Sequence, residues 1–181
     1  MVLNNNELDK WFKEDSVYFH SHTFKQQVKF YTVNDHLVMI KRFMKYLRKE
    51  EYYYNKDGLR NKLAEIYFSR KKNTLGNKLG FYIQPNCLGL GTTIYHHGTI
   101  IINGDAKLGD YCKLHGNNCV GNDGFSLKAP CIGNNVDIGF GAIIIGDIKI
   151  ADNVKIGAGA VVTTSCLHEG ATLVGIPAHE L

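Results

Sequence analysis

The second half of the chain counts in sixes. From Ile132 onward the aliphatic positions fall at Ile132, Ile138, Ile144, Ile150, Ile156 and Val162, with small or polar residues beside them, as in Ile138-Gly139-Phe140-Gly141-Ala142-Ile143 and Ile156-Gly157-Ala158-Gly159-Ala160-Val161. A period of six matches neither the three-to-four spacing of a helix nor the alternation of a lone strand. Each unit reads as a short strand and a tight turn with one aliphatic side chain pointing inward. Three units make a triangular coil of about 18 residues, and stacking puts inward residues one coil apart, such as Ile138 on Val120 and Ile156 on Ile138, in contact at a strand spacing of ~4.8 Å. The expectation is a parallel β-helix of about five coils.

The count breaks twice. Val120, Leu114, Leu108 and Ile102 keep the register backward, and Ile94 and Leu88 are again six apart, but eight residues separate Ile94 from Ile102, so two extra residues enter the turn His96-His97-Gly98-Thr99. Between Val120 and Ile132 the length is kept, yet Ser126 stands where an aliphatic residue belongs, and Gly121 to Cys131 reads as one loop extruded from the wall.

Composition places the boundary before the repeats. Sixteen of the 19 glycines and all three prolines lie from residue 81 onward, dividing the chain into an α-helical segment, 1–80, and a β-helix, 81–181. The first part has 16 Lys and Arg against 9 Asp and Glu, the second 5 against 8, so a basic part of +7 precedes a mildly acidic one of −3. These cations alternate with acids on amphipathic helices, which reads as a solvated helix face, with an anionic membrane surface or nucleic acid as the alternatives. No RNP-like aromatic motif, zinc-knuckle spacing or unbroken basic tract supports a nucleic-acid partner.

Five cysteines without paired spacing read as buried thiols in a reducing compartment. The start, Met1 to Asn6, carries no apolar signal core, and no run approaches the roughly 18 apolar residues of an integral membrane segment, so the expected location is the cytoplasm. Asp35 is placed to cap a helix bearing Leu37, Ile40, Phe43, Met44 and Leu47. Asn55-Lys56-Asp57-Gly58 reads as a turn, and a second helix carries Leu59, Leu63, Ile66 and Tyr67 until Thr74-Leu75-Gly76 ends it. The dense aromatics of this part, Tyr46 to Phe68, read as packing against the β-helix or a neighbouring subunit. Residues 1–34 show too weak a periodicity to assign.

Stiff walls and exposed turns direct functional side chains to the turns. The widened turn presents His96 and His97, and imidazole, with an unperturbed pKa of about 6.5, serves as base and then acid without large tuning. Stacking sets His115 over Tyr95, close to that turn. His96, His97, His115 and Cys119 can also be written as a zinc set, but no further ligand completes it and no metal is expected.

At these residues the chain resembles the left-handed β-helix hexapeptide-repeat acyltransferases, in the serine acetyltransferase-like branch that includes polysaccharide O-acetyltransferases. The resemblance covers 36–181 and rests on Tyr82-Ile83-Gln84-Pro85-Asn86, Gly89-Leu90-Gly91-Thr92-Thr93-Ile94-Tyr95-His96, Ile132-Gly133-Asn134-Asn135-Val136 and Val174-Gly175-Ile176-Pro177-Ala178. It implies left-handed winding, against the usual right-handed crossover rule, and transfer of an acetyl group from acetyl-CoA to a hydroxyl. The family's general base falls on His96, and no covalent intermediate is implied. The resemblance further implies a homotrimer with active sites between subunits. Acetyl-CoA would lie along Phe140, Gly141, Ala158 and Gly159, with Gly175 and Pro177 closing the far end; turn geometry by itself also accounts for most of these glycines.

Two departures bear on the acceptor. Serine acetyltransferases carry Asp-Ile-His-Pro, whose Asp orients the base, where this chain has Tyr82-Ile83-Gln84-Pro85, and a loop His where it has Ala129. Tyr82, His97, His115 and Asp123 are then the candidates to orient His96 or hold the acceptor. The departures favour a hydroxyl of a sugar or polysaccharide precursor, with serine O-acetyl transfer as the alternative. A metal-dependent carbonic-anhydrase-like β-helix and a non-catalytic trimeric scaffold stand behind both.

Overall fold

The computed structural model describes residues 4–181; Met1 to Leu3, the first part of the segment read for a leader, lie outside them. Five helices precede the repeats: α1 (Asn5–Glu14), α2 (Val17–His20), α3 (Phe24–Thr32), α4 (His36–Tyr54) and α5 (Leu59–Leu79). The first three occupy the stretch whose periodicity was too weak to read, and their starts are set by local chemistry. Asn4 and Glu7 close a capping box on α1, and Thr23 and Gln26 close one on α3.

Helix α4 begins as its sequence requires, with Asp35 accepting the Leu37 N–H at 2.9 Å. Helix α5 runs three residues beyond Gly76. A Cβ on Gly76 would stand 2.7 Å from the Phe81 carbonyl oxygen, so this glycine allows close packing, and the helix ends at Gly80, whose φ of +81° suits the left-handed cap. Tyr53 stacks on Phe68 at 5.6 Å, and Tyr46 lies 6.5 Å from the same ring, so these aromatics fill the α4–α5 seam and not a contact with the β-helix.

Fourteen short strands follow. Sheet A contains β1 (Phe81–Ile83), β3 (Ile100–Ile102), β6 (Cys119–Gly121), β9 (Ile143–Ile145) and β12 (Val161–Val162). Sheet B contains β2 (Thr93–Ile94), β5 (Lys113–Leu114), β8 (Asp137–Ile138), β11 (Lys155–Ile156), β13 (Thr172–Gly175) and β14 (Ala178–Glu180); sheet C contains β4 (Lys107–Leu108), β7 (Cys131–Ile132) and β10 (Lys149–Ile150). The chain visits the three sheets in rotation and pairs in parallel from coil to coil, except that β14 folds back antiparallel on β13. Five strands in sheet A mark five coils, and the winding is left-handed.

The inward aliphatics stack as the repeat demands: Ile156 lies on Ile138, and Ile102, Leu114, Val120, Ile138 and Ile144 are all fully buried. Burial of each such side chain contributes about 1.5–3 kcal/mol. One corner is stitched by side-chain acceptors: Asp110 takes the Leu90 N–H, Asn134 that of Asp110, and Asp152 that of Asn134, at 2.7–2.8 Å. Repeated Asn and Asp therefore serve the turns themselves.

The stacking of Ile138 on Val120 does not occur. Val120 pairs with Ile144 and Leu114 with Ile138, so the extruded loop consumes a whole six-residue unit and the register advances by 24 residues there. The loop holds its own shape. Asp123 Oδ1 accepts the N–H groups of Phe125 and Ser126, both at 2.9 Å, and Lys128 reaches Asp147 at 2.8 Å.

Candidate active site

The widened turn joins sheet B to sheet A. Gly98 N donates to Leu79 O and Ile100 N to Gly80 O, both at 2.9 Å, which fixes the turn against the end of α5. His96 and His97 are both exposed on it. Directly below, Gly116 has a φ of +114°, and a Cβ there would meet His96 Cβ and the Phe140 ring at 3.5 Å. Glycine thus keeps bare backbone between the imidazole and the aromatic ring.

A third histidine closes on the turn. His36, the first residue of α4, stacks on His96 with ring centroids 5.9 Å apart and 30° between planes, and lies 5.2 Å from His97. Its Nδ1 is 3.2 Å from Asp35 Oδ1, and its buried Nε2 has no hydrogen-bond partner. The helix N-cap therefore also presents an acid–imidazole pair to the turn. Asp35 is legible as a cap in the sequence, but its neighbour is not legible as a site residue, because nothing local relates position 36 to 96.

A separate polar cluster occupies the outer face of sheet B. His115 lies over Tyr95 at 4.7 Å, as the stacking predicts, and its Nε2 meets Asp137 Oδ1 at 2.8 Å. Tyr18 of α2 packs edge-on against Tyr95 at 4.7 Å. Burial first, then the charges of Asp137 and of the ionisable Tyr18 hydroxyl, push the Tyr95 phenol above its ordinary value. Asp137 went unrecognised since an 18-residue register sets it beside Cys119, whereas the loop brings it beside Lys113.

The other candidates stand apart from His96. Tyr82 is 60% exposed on the outer face of sheet A, next to Ile101. Asp123 is committed to the amides of its own loop, and those two N–H groups hold its carboxyl below its ordinary value. Cys119 lies on sheet A between Ile101 and Ile143, around the corner from His115, and burial pushes its thiol up. Among the described residues no three His, Cys, Asp or Glu are grouped to hold a metal ion. Ala129 packs against the core.

The six residues assigned to acetyl-CoA share the edge that begins at His96. Gly141 N donates to Gly116 O at 2.9 Å and Gly159 N to Phe140 O at 2.8 Å, so Phe140–Gly141 and Ala158–Gly159 follow the histidine turn coil by coil. The pairing of Ile156 with Leu173 brings Gly175 level with Ala158, at the turn of the β13–β14 hairpin that contains the cis Ile176–Pro177 bond. Four rungs, ~19 Å at strand spacing, separate His96 from Gly175.

No family model matches the chain. It is 39% identical over 101 residues to the serine acetyltransferase of Synechococcus elongatus, covering 54% of this chain and 41% of that protein. It is 34% identical over 124 residues to the provisionally named colanic acid biosynthesis acetyltransferase WcaB of Escherichia coli K12, covering 59% of this chain and 76% of WcaB. Among solved structures, the serine acetyltransferase of Neisseria gonorrhoeae superposes with a TM-score of 0.73 at 25% identity, over 98% of this chain and 68% of that one. The chain thus spans less than half of the cyanobacterial relative but three quarters of WcaB. Sequence, coil architecture and helical N-terminal part agree, and the chain belongs to the serine acetyltransferase-like branch of the left-handed β-helix hexapeptide-repeat acyltransferases.

Proposed function

We propose that the chain is an acetyl-CoA-dependent O-acetyltransferase acting on a hydroxyl of a sugar or polysaccharide precursor, with His96 as general base and active sites shared between subunits of a homotrimer. The observation that carries this reading is the single edge on which His96, the bare backbone of Gly116 and the Phe140–Gly141 turn succeed one another. A thioester placed at Gly116 has the imidazole on one side and room for the rest of acetyl-CoA along Ala158, Gly159, Gly175 and Pro177. His96 takes the proton from the acceptor hydroxyl as its oxygen attacks the thioester carbonyl. The oxyanion that forms needs donors, each worth about 3 kcal/mol when well placed. Collapse breaks the C–S bond, and His96 returns the proton to the departing thiolate. His36, stacked on His96 and anchored by Asp35, holds the imidazole in place where serine acetyltransferases use the Asp that Tyr82 replaces.

The acceptor rests on three features. Tyr82 and Ala129 replace the carboxylate and the imidazole that the serine branch uses, Ala129 is packed on the core, and three quarters of WcaB, whose name refers to a polysaccharide, is covered. Serine as acceptor is supported by the higher identity to the cyanobacterial enzyme and by the Neisseria structure.

Release of CoA thiol from acetyl-CoA, followed with serine and with a panel of sugar nucleotides and oligosaccharides, separates the two. Turnover is expected with a saccharide, and turnover on serine alone overturns the acceptor. His96→Ala should lower kcat by about 10²–10⁴-fold with melting unchanged, and His36→Ala by up to about 10²-fold with KM for acetyl-CoA preserved. Full activity of His96→Ala removes the general base.

A further inference from the structure

Helix α5 is apolar on two faces. One packs on α4 through Phe68 and Leu75. The other carries Leu59, Leu63, Ile66 and Tyr67, which are 77%, 60%, 55% and 55% exposed. Their spacing of i, i+4, i+7 and i+8 lines them up in one stripe. An aliphatic stripe so open on a chain of this family is a surface that something covers.

Charge says what. Exposed Arg60, Lys62, Arg70, Lys71 and Lys78 border the stripe or continue it toward the C-terminal end of the helix. Arg42 of α4 joins Arg70, Lys71 and Lys78, with Tyr46 and Tyr67, around a groove of about 480 Å³ between α4 and α5. The one acid of α5, Glu65, is engaged by Lys62 at 2.6 Å, and the remaining cation, Lys72, is turned inward onto Glu50 at 2.9 Å.

We propose that this face of α5, with the adjoining groove, binds the surface of a bilayer bearing anionic headgroups. Leu59, Leu63, Ile66 and Tyr67 enter the boundary between headgroups and acyl chains, and the flanking Arg and Lys side chains meet the phosphates, as interfacial helices do. The helix lies on the surface and does not span it: among the described residues no helix is long and apolar enough to cross a membrane. A second copy docked here by two-fold symmetry would set one basic face, with Arg60, Lys62 and Arg70, against another. Nucleic acid would use the cations and leave the aliphatics in water. A lipid surface satisfies both parts of the face, whatever acceptor the chain acetylates.

The test is co-sedimentation of the full chain with vesicles of phosphatidylcholine, with and without phosphatidylglycerol, at several salt concentrations. Binding is expected only to the anionic vesicles and should weaken as salt rises. Arg70→Gln with Lys71→Gln should reduce affinity roughly 25-fold, at about fivefold for each charge. Leu63→Asp with Ile66→Asp should abolish binding at every salt concentration while circular dichroism and melting stay close to those of the parent, since both side chains are already more than half exposed. Absence of binding to anionic vesicles overturns the proposal. So does loss through the charge variants alone, which marks a polyanion site. A drop in assembly mass by light scattering of the Leu63/Ile66 variant without lipid shows that a second copy covers the face, and overturns it too.

Discussion

The two parts of the molecule bury different things. The β-helix core is a column of aliphatic side chains, each lying on a like residue of the next coil. Where the helices meet the first coil, charged groups are buried beside Phe43, Leu47 and Leu79: Arg48, Glu50, Glu51 and Lys72 are 0%, 4%, 1% and 3% exposed. Arg48 uses its whole fork. It bonds Asp15 of the α1–α2 link at 2.7 Å, Glu51 at 2.9 Å, and the carbonyls of Leu88 and Gly89 at 2.9 and 2.7 Å, while Trp11 lies over it at 4.3 Å. Burial by itself would lower the guanidinium's pKa; Glu51 and Asp15 outweigh it and raise it above its ordinary value. Burial dominates at Asp15 and pushes its carboxyl up even against Arg48. Stacked aliphatics hold wherever like meets like, whereas a fork of directed bonds fits one seat only. The contrast teaches that the repeat is secured by quantity of burial and the junction by direction.

The contrast breaks most readily at Arg48. Arg48→Ala leaves the carboxylates of Asp15 and Glu51 without their counter-ion in the interior, held only by the Gly91 and Asn86 N–H groups, and should cost about 3–5 kcal/mol, read as a shift of the denaturant midpoint. Arg48→Met, which fills the space without charge, should recover part of that loss. If Arg48→Met is as stable as the parent, the junction depends on volume and the contrast is false. In the column, Ile144→Val removes one methylene from a fully buried site and should cost about 1 kcal/mol with activity retained; a cost like that of Arg48→Ala would mean that the column is no more forgiving than the junction.

The smallest effect belongs to the tip of the extruded loop, where Asp123 holds the Phe125 and Ser126 amides. The two amides that hold the Asp123 carboxyl below its ordinary value contribute above the unfolded pKa, and their contribution is lost as pH falls through the lower folded value. On acidification below about pH 4, the ordinary Asp range, the amide resonances of Phe125 and Ser126 should shift while global melting hardly responds. A cooperative loss of the β-helix over the same range would show that the loop is structural after all.

What the sequence disclosed follows the same division. Ile132 to Val162 announce the coils because every unit repeats its instruction, and Asp35 announces α4 because a cap acts over three residues. The break at Ser126 was visible as a loop, but that it consumes a whole unit was not, since a twelve-residue gap has the same length whether it forms a wall or leaves one. That ambiguity concealed Asp137 beside His115. The stacking of His36 on His96, and the seat of Arg48 on Gly89, join residues 60 and 41 positions apart through the docking of helices on a coil, which no periodicity encodes. Of the candidate site, His96 and its edge were legible from the repeat and the family resemblance, and the groups brought to that edge by the helices were not.

The last strand turns back. Because β14 runs antiparallel to β13 after the Gly175–Ala178 turn, the final rung of sheet B does not offer an incoming chain the same parallel template that every earlier rung offers its successor. At the opposite end, Arg48 and the helices already sit on the carbonyls of the first coil. A stack of self-similar layers is by nature extendable, a hazard shared by every uncapped sheet edge. With β14 folded back on β13 and the helices seated on the first coil, neither the last rung of sheet B nor the Leu88 and Gly89 carbonyls offer an incoming chain a free template.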